Sequence, residues 1–176
     1  PCSRAGTRWR GTELAGEQHT SEILRGLVAA GVDFIIVGGT AAVMLGAPVV
    51  TEDIDIVHQR TPENVDRLLA WLLAHDAFHR FDLMKRQLPP TKDSLLGAGH
   101  INLQTRLGKL DVLCELGAGE GYEEILNDTV SLTDGATNVR VLDLPRLIAT
   151  KARAGRAKDR LVLPMLVAAL DERRKR

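Results

Sequence analysis

The pattern of apolar and polar residues is clearest around the glycine pair Gly38 and Gly39. The apolar run over 32–37 predicts a buried strand, and the two glycines after it predict a tight turn. A short apolar stretch over 40–45 predicts a helix, and a loop then leads to a second predicted strand over 53–57. The pattern therefore predicts two strands joined by a glycine turn and one short helix.

Helical spacing of apolar residues predicts amphipathic helices elsewhere in the chain. Thr61 followed by Pro62 is a typical helix start, because threonine caps the first turn and proline fits there without losing a hydrogen bond. Asp143 predicts a second cap, and Pro164 predicts either a kink or the true start of the last helix. The predicted helices cover 21–30, 62–75, 144–154 and 157–172.

Further apolar segments predict the remaining strands. Those over 101–105 and 110–114 flank Leu107 and Gly108, which is typical of a hairpin. The elements together indicate an α/β (α+β) fold, a mixed β-sheet flanked by helices with a small C-terminal helical segment. Other predictions are short strands at 81–84 and 139–142, a helix or turn at 120–127, and a loop able to move over a site at 88–99.

Length and composition are typical of one folded domain. A chain of 176 residues with 44% hydrophobic residues is expected to form one core, built from aliphatic side chains because only 3% are aromatic. We expect a flexible lead-in over 1–18, a core over 19–142 and a C-terminal helical segment over 143–176. Neither a membrane-spanning run nor a signal peptide is recognisable, and Cys2 and Cys114 form no disulfide framework, which indicates a cytoplasmic protein.

Total charge says little about partners, since 23 Lys and Arg residues balance 23 Asp and Glu residues. The distribution is more informative, because cations gather near both termini and over 151–160. Near a helix end such a cluster is more typical of a solvated face than of a binding site. These cations nevertheless favour an acidic acceptor over a basic one.

Two carboxylates, Asp53 and Asp55, are the clearest candidates for a functional site. Alternate residues of a strand face the same side, so both side chains project together. Paired carboxylates raise each other's pKa unless a cation lies between them, and Mg²⁺ prefers such oxygen ligands. Gly38 and Gly39 allow the backbone to approach a phosphate, and a helix starting near Thr40 adds N–H groups. The simpler alternatives are a solvated strand end and an ordinary strand-to-helix turn.

Gly-Gly-Thr at 38–40, followed by Asp-Ile-Asp at 53–55, resembles the signature of the nucleotidyltransferase superfamily that includes DNA polymerase beta. Within this superfamily, the residues of both segments are similar to those of the abortive-infection, AbiEii-type bacterial members. The resemblance implies a third carboxylate on a later strand, for which Asp111 is the match. Pairing the predicted hairpin with the acidic strand would bring Asp111 beside the first two carboxylates. The alternative is an ordinary hairpin charge.

The resemblance implies transfer of a nucleoside monophosphate from a nucleoside triphosphate to an acceptor hydroxyl, with two Mg²⁺ ions. RNA such as a tRNA end, a protein side chain and a small molecule all remain open as acceptors. A toxin role would imply an antitoxin partner. The alternative is a catalytically silent nucleotide- or RNA-binding module of the same fold. The residues implied are Asp53, Asp55 and Asp111 for catalysis and metal binding, and Gly38, Gly39, Thr40 and Lys151 for nucleotide binding.

Overall fold

The structure, a computed structural model, describes residues 19–117 and 119–175. In this part of the chain seven strands form one sheet. The strands are β1 (Phe34–Val37), β2 (Asp53–His58), β3 (Phe78–His79), β4 (Ile101–Thr105), β5 (Gly108–Leu113), β6 (Thr129–Asp134) and β7 (Thr137–Leu142). The helices are α1 (Thr20–Ala29), α2 (Gly38–Met44), α3 (Pro62–Ala74), α4 (Lys92–Leu96), α5 (Tyr122–Ile125), α6 (Leu144–Ala154) and α7 (Ala157–Arg174), with a 3₁₀ turn at Leu126–Asp128.

The sheet is mixed, and β2 lies at its centre. The strand order is β3-β4-β5-β2-β1-β7-β6. β2 runs antiparallel to β1 and parallel to β5, and β1 runs parallel to β7. The other neighbouring strands are antiparallel. The predicted α/β architecture with a mixed sheet is confirmed.

The central strands β1 and β2 differ in burial, and in β2 the buried residues alternate with partly exposed carboxylates. Every residue of β1 is buried, as expected for a strand inside a sheet with both faces covered. In β2, Ile54 and Ile56 are fully buried, whereas Asp53 and Asp55 are partly exposed. Alternation therefore sends the two isoleucines into the core and the two carboxylates to the opposite face. Cys114 is also buried.

Local capping determines where two of the helices begin, as predicted. The Thr61 hydroxyl accepts a backbone N–H of the first turn at 3.4 Å, and Pro62 is the first residue of α3. The Asp143 carboxylate accepts the N–H of Arg146 at 2.8 Å at the start of α6. Gly155 has a φ of +60° and ends α6, because glycine takes this left-handed conformation without strain. The predicted bounds of α6 are confirmed.

The glycine pair lies inside a helix rather than in a separate turn. α2 begins at Gly38, directly after β1, so the predicted helix over 40–45 starts two residues too late. Gly38 has a φ of +63°, which is unfavourable for any residue with a side chain. Turn and helix start are thus one segment, and this segment brings the backbone of both glycines close to β2.

The predicted strand over 81–84 is wrong. β3 has only two residues, and the chain then turns at Asp82, whose carboxylate accepts the N–H groups of Met84 and Arg86 at 3.2 and 2.7 Å. Such local bonds between side chain and backbone compete with strand pairing. Phe81 is 77% exposed, so the apolar residues of this segment do not face the core.

Three further elements differ from the prediction. The segment 88–99 contains α4, which has a capping box between Thr91 and Ser94 and buries Leu95, so it is not the mobile loop that was predicted. The sequence pattern does not predict β6, because most of its residues are only partly buried. α7 continues through Pro164, so this proline does not mark the start of the helix.

Some predictions extend beyond the described residues. The lead-in over 1–18, with Cys2, lies outside them, and the division into core and C-terminal segment stays a prediction. Within 19–117 and 119–175, every helix is too short or too polar to cross a bilayer.

Candidate active site

Three aspartates lie together on the face of the sheet opposite the core isoleucines of β2. In the pairing of β2 with β5, Asp55 lies directly opposite Asp111. Asp53 lies two residues before Asp55 and therefore on the same face. The structure brings the three carboxylates together, as expected from pairing the hairpin with the acidic strand. Their assignment to metal binding stays a prediction.

A cleft of about 680 Å³ lies over these carboxylates. Gly38 and Gly39 line one part of its wall, and Lys151 of α6 lines another. Six of the seven predicted site residues therefore line the same cleft. Thr40 does not: it is 3% exposed, and its hydroxyl donates to the carbonyl oxygen of Asp53 at 2.7 Å. The hydroxyl ties α2 to β2, so nucleotide binding by the side chain of Thr40 is not supported.

Asp55 lacks sufficient counter-charge. Burial, together with the charges of Asp53 and Asp111, raises the pKa of Asp55 from 3.8 to about 7. The backbone N–H of Gly39, which bonds to this carboxylate, and the charge of Lys151 act in the opposite direction. A further cation beside these groups would therefore stabilise the ionised form of Asp55.

Asp53 is more open to the cleft, with 34% of its side chain exposed. The Thr51 hydroxyl lies 3.1 Å from its Oδ1 and 3.2 Å from its carbonyl oxygen, which orients the side chain. Thr51 also packs closely on the start of α2, since a Cβ at Gly39 would lie 2.7 Å from the Thr51 hydroxyl. Glycine at 39 therefore allows the loop before β2 to hold Asp53 in place.

Asp111 has two side-chain partners that the sequence pattern did not identify. Asn102 lies opposite it in the β4–β5 pairing and donates its amide to Oδ2 at 2.7 Å. Arg80 donates its guanidinium to Oδ1, and the same nitrogen lies 3.9 Å from Oδ2 of Asp53. Burial raises the pKa of Asp111, although the charge of Arg80 and the bond from Asn102 lower it. Asn102 could have been found from the hairpin register, whereas Arg80 follows a two-residue strand and carries no comparable signal.

Asp159 of α7 is fully buried and organises the cations of the cleft wall. Its Oδ1 accepts from Lys151 Nζ at 3.0 Å, and its Oδ2 accepts from Arg156 Nε at 2.6 Å. Burial raises the pKa of Asp159, but the hydrogen bonds from Arg156 and Lys151 outweigh burial and hold it below 3.8. The prediction of a solvated face over 151–160 is therefore wrong for Lys151, whose side chain is 15% exposed.

We expect Asp159→Asn to lower the free energy of unfolding by about 3 kcal/mol, because it leaves the Lys151 charge buried without its partner. Since the folded-state pKa of Asp159 lies below 3.8, this stabilisation is present above that pH and is lost as the pH falls through the folded-state value. Urea unfolding at pH 7 and at pH 3 measures both effects. Asp171→Asn, on an exposed part of the same helix, is the control and should cost less than about 0.5 kcal/mol. Equal costs for the two variants would contradict a stabilising role.

The carboxylate oxygens of this site are donors of the kind that a hard divalent cation prefers, but the side chains are not gathered around one point. Carboxylate oxygens are the ligands that Mg²⁺ prefers, and the raised pKa of Asp55 shows a need for positive charge. As the side chains stand, no three His, Cys, Asp or Glu residues of the described ranges converge closely enough to hold a metal ion. Arg80 supplies part of the counter-charge by pairing with Asp111 and Asp53.

Comparisons with known proteins identify the fold and the family of this chain. The crystal structure of a "putative nucleotidyltransferase" from Thermotoga maritima has a TM-score of 0.53 to this chain at 16% identity, covering 84% of this chain and 92% of that one, which shows a shared fold. No curated protein sequence matches the chain. The family model of the AbiEii nucleotidyl transferase toxin of type IV toxin–antitoxin systems matches residues 22–162. Because this match spans most of the 176 residues, the chain belongs to the AbiEii nucleotidyl transferase toxin family.

Proposed function

We propose that this chain transfers a nucleoside monophosphate from a nucleoside triphosphate to an acceptor hydroxyl, with pyrophosphate as the leaving group. The observation that carries the proposal is the register of β2 and β5, which puts Asp111 opposite Asp55 beneath the cleft. The volume of the cleft is in the range of sites that bind small molecules and cofactors. The acceptor hydroxyl belongs to an RNA, a protein or a small molecule.

The acidic side of the cleft would hold the cations. Asp53 and Asp55 would bind the Mg²⁺ that accompanies the triphosphate, and Asp111 would complete a second site on the acceptor side. When bound, such ions neutralise phosphate charge and favour loss of the acceptor proton. The protein contributes preorganisation, because Thr51 orients Asp53 and Asn102 orients Asp111 by hydrogen bonds. Asp111 would also accept the proton of the acceptor hydroxyl.

The basic side of the cleft suits the phosphates. Lys151, Arg156 and Lys158 line the wall formed by α6 and α7. Negative charge develops on the leaving pyrophosphate, so fixed cations there would stabilise the transition state. Gly38 and Gly39 also line this cleft, and their backbone would border the phosphates, although Asp55 and Thr51 fill the space that a side chain would take at each glycine.

Membership of this family also supports the proposal of an antitoxin partner. Because the matching family belongs to a type IV toxin–antitoxin system, we propose that the chain acts as a toxin with a cognate antitoxin. The cytoplasm, where nucleoside triphosphates and RNA are found, is its proposed location.

We expect at least one of ATP, GTP, CTP and UTP to raise the midpoint of thermal unfolding when Mg²⁺ is present. At 100 times its Kd a ligand adds roughly 2.7 kcal/mol of stability, which such a measurement detects. Asp53→Asn should weaken this shift and change its dependence on Mg²⁺. Asp66→Asn should leave the shift unchanged, because Asp66 pairs with Lys92 on the protein surface away from the cleft.

The triphosphate that produces the shift can then be supplied with a labelled α-phosphate to RNA, protein and small-molecule acceptors in turn. Transfer of label that requires Asp53 would support the proposal. Absence of a shift with every triphosphate, from a protein shown to be folded, would contradict it and favour the catalytically silent module.

A further inference from the structure

Arg80 is a cation within the carboxylate cluster to which the proposed reaction assigns no role. Its guanidinium donates to Oδ1 of Asp111 and lies 3.9 Å from Oδ2 of Asp53. The side chain is only 14% exposed, so it is packed into the site rather than lying over its rim. Its Nε is buried and has no hydrogen-bond partner among residues 19–117 and 119–175. The guanidinium is therefore inserted between acidic groups at the cost of one unsatisfied donor.

Arg80 bonds directly to Asp111, the carboxylate that the proposed function assigns to the acceptor-side cation. Asp53, which is assigned with Asp55 to the cation of the triphosphate, lies farther from the guanidinium, at 3.9 Å. Asp55 has a different partner, the N–H of Gly39. A guanidinium and a divalent cation on the same carboxylate repel each other as like charges, so each weakens the binding of the other. Arg80 thus occupies one half of the acidic site and leaves the other half accessible.

We propose that Arg80 is an exchangeable counter-ion, which neutralises Asp111 and Asp53 until the acceptor-side cation displaces it. This inference rests on the proposed function, because it requires the carboxylates to bind a divalent cation. The site then loads in order: the cation at Asp53 and Asp55 enters first, and the cation at Asp111 enters when Arg80 leaves. Arg80 thereby sets the concentration of divalent cation at which the site is complete.

The surroundings of Arg80 allow its side chain to leave while its backbone stays in place. The backbone N–H of Arg80 donates to the carbonyl oxygen of Asn102 at 2.9 Å, which holds the residue against β4. The guanidinium lies 5.5 Å from the ring centre of Phe81, whose side chain is exposed. Departure of the charge from Asp111 would therefore require rotation of the Arg80 side chain past an exposed residue, rather than unfolding of the sheet.

Binding of Mn²⁺, measured by isothermal titration calorimetry without nucleotide, tests the proposal. We expect Arg80→Met to bind Mn²⁺ about 10- to 100-fold more tightly than the wild type, which is the range that loss of a competing charged hydrogen bond spans. Arg80→Lys keeps the charge but not the forked geometry and should lie between the two. Arg86→Met removes an arginine from the same loop whose partner is Asp82, and its Mn²⁺ affinity should equal that of the wild type.

The outcomes separate this proposal from the proposed function. Unchanged or weaker Mn²⁺ binding by Arg80→Met, with clear binding by the wild type, would overturn the role of Arg80 alone. Absence of Mn²⁺ binding by every variant would overturn both. If Arg80→Met fails to fold without metal, Arg80→Lys carries the test, and its unfolding midpoint should rise more with Mn²⁺ than that of the wild type. An equal rise would overturn the proposal.

Discussion

Replacing Asp55 with asparagine is expected to abolish nucleotidyl transfer and, at the same time, to stabilise the metal-free protein at pH 8. The variant loses a ligand of the proposed cation site, so transfer should fall on the order of 10³-fold or more. It also loses a charge that the fold accommodates poorly. Burial and the neighbouring carboxylates Asp53 and Asp111 raise the pKa of Asp55 to about 7, so its ionised form destabilises the folded state.

The stabilisation by Asp55→Asn depends on pH in a defined direction. Between its ordinary pKa of 3.8 and its folded value of about 7, the folded protein holds a proton that the unfolded chain has released. The stability of the metal-free wild type therefore falls as the pH rises through this window. The difference between the two pKa values corresponds to about 4 kcal/mol, and screening of the partly exposed side chain reduces the expected gain to roughly 2 kcal/mol.

Urea unfolding in EDTA at pH 4.5 and pH 8 measures this gain, and a transfer assay with the preferred triphosphate measures the loss of activity. Asp66→Asn, which removes a surface carboxylate paired with Lys92, should change neither quantity appreciably. A lower stability of Asp55→Asn at pH 8 would show that the carboxylate is a stabilising group and would contradict our account of the cluster. Retained transfer would contradict the proposed role of Asp55.

Features that depend on neighbouring positions in the chain were predictable from the sequence. The caps at Thr61 and Asp143 act within one helical turn, so residue type and spacing suffice to recognise them. The common face of Asp53 and Asp55 follows from the period of a strand. Asp111 required one additional assumption, the pairing of the hairpin with the acidic strand, and the family resemblance supplied it.

Features that depend on tertiary packing were not predictable in this way. Arg80 reaches Asp111 across 31 positions of the chain, through a two-residue strand that no periodicity indicates. Lys151 and Asp159 are only eight positions apart, yet their pairing requires α7 to fold back on α6. In the sequence these residues form an ordinary run of charges, and only the burial of Asp159 distinguishes them from a solvated face. Arg80 and Asp159 are thus the charged residues of the site that the sequence pattern did not identify.

Gly38→Ala is expected to destabilise the protein by roughly 2–5 kcal/mol, the sum of backbone strain and steric overlap. Gly38 has a φ of +63°, and a Cβ there would lie 2.0 Å from Oδ2, 2.6 Å from Cγ and 2.9 Å from Cβ of Asp55. Rotation of the Asp55 side chain can relieve the first two overlaps but not the third, since the Cβ is fixed to the backbone of β2. Transfer should fall as well, because relief moves the carboxylate away from its position opposite Asp111.

Gly135→Ala is the control that separates the backbone strain at a positive φ from the steric overlap with Asp55. Gly135 has a φ of +60°, almost that of Gly38, but a Cβ there meets no atom of the described residues within 4 Å. Its replacement should therefore cost only about 1–2 kcal/mol and leave transfer intact. In an Asp55→Ala background two of the three overlaps disappear, and the cost of Gly38→Ala in urea unfolding should fall by about 1 kcal/mol or more. Equal costs of Gly38→Ala in both backgrounds would show that the glycine serves the backbone conformation alone. A reduced cost would show that position 38 is kept free of a side chain to make room for the carboxylate of Asp55.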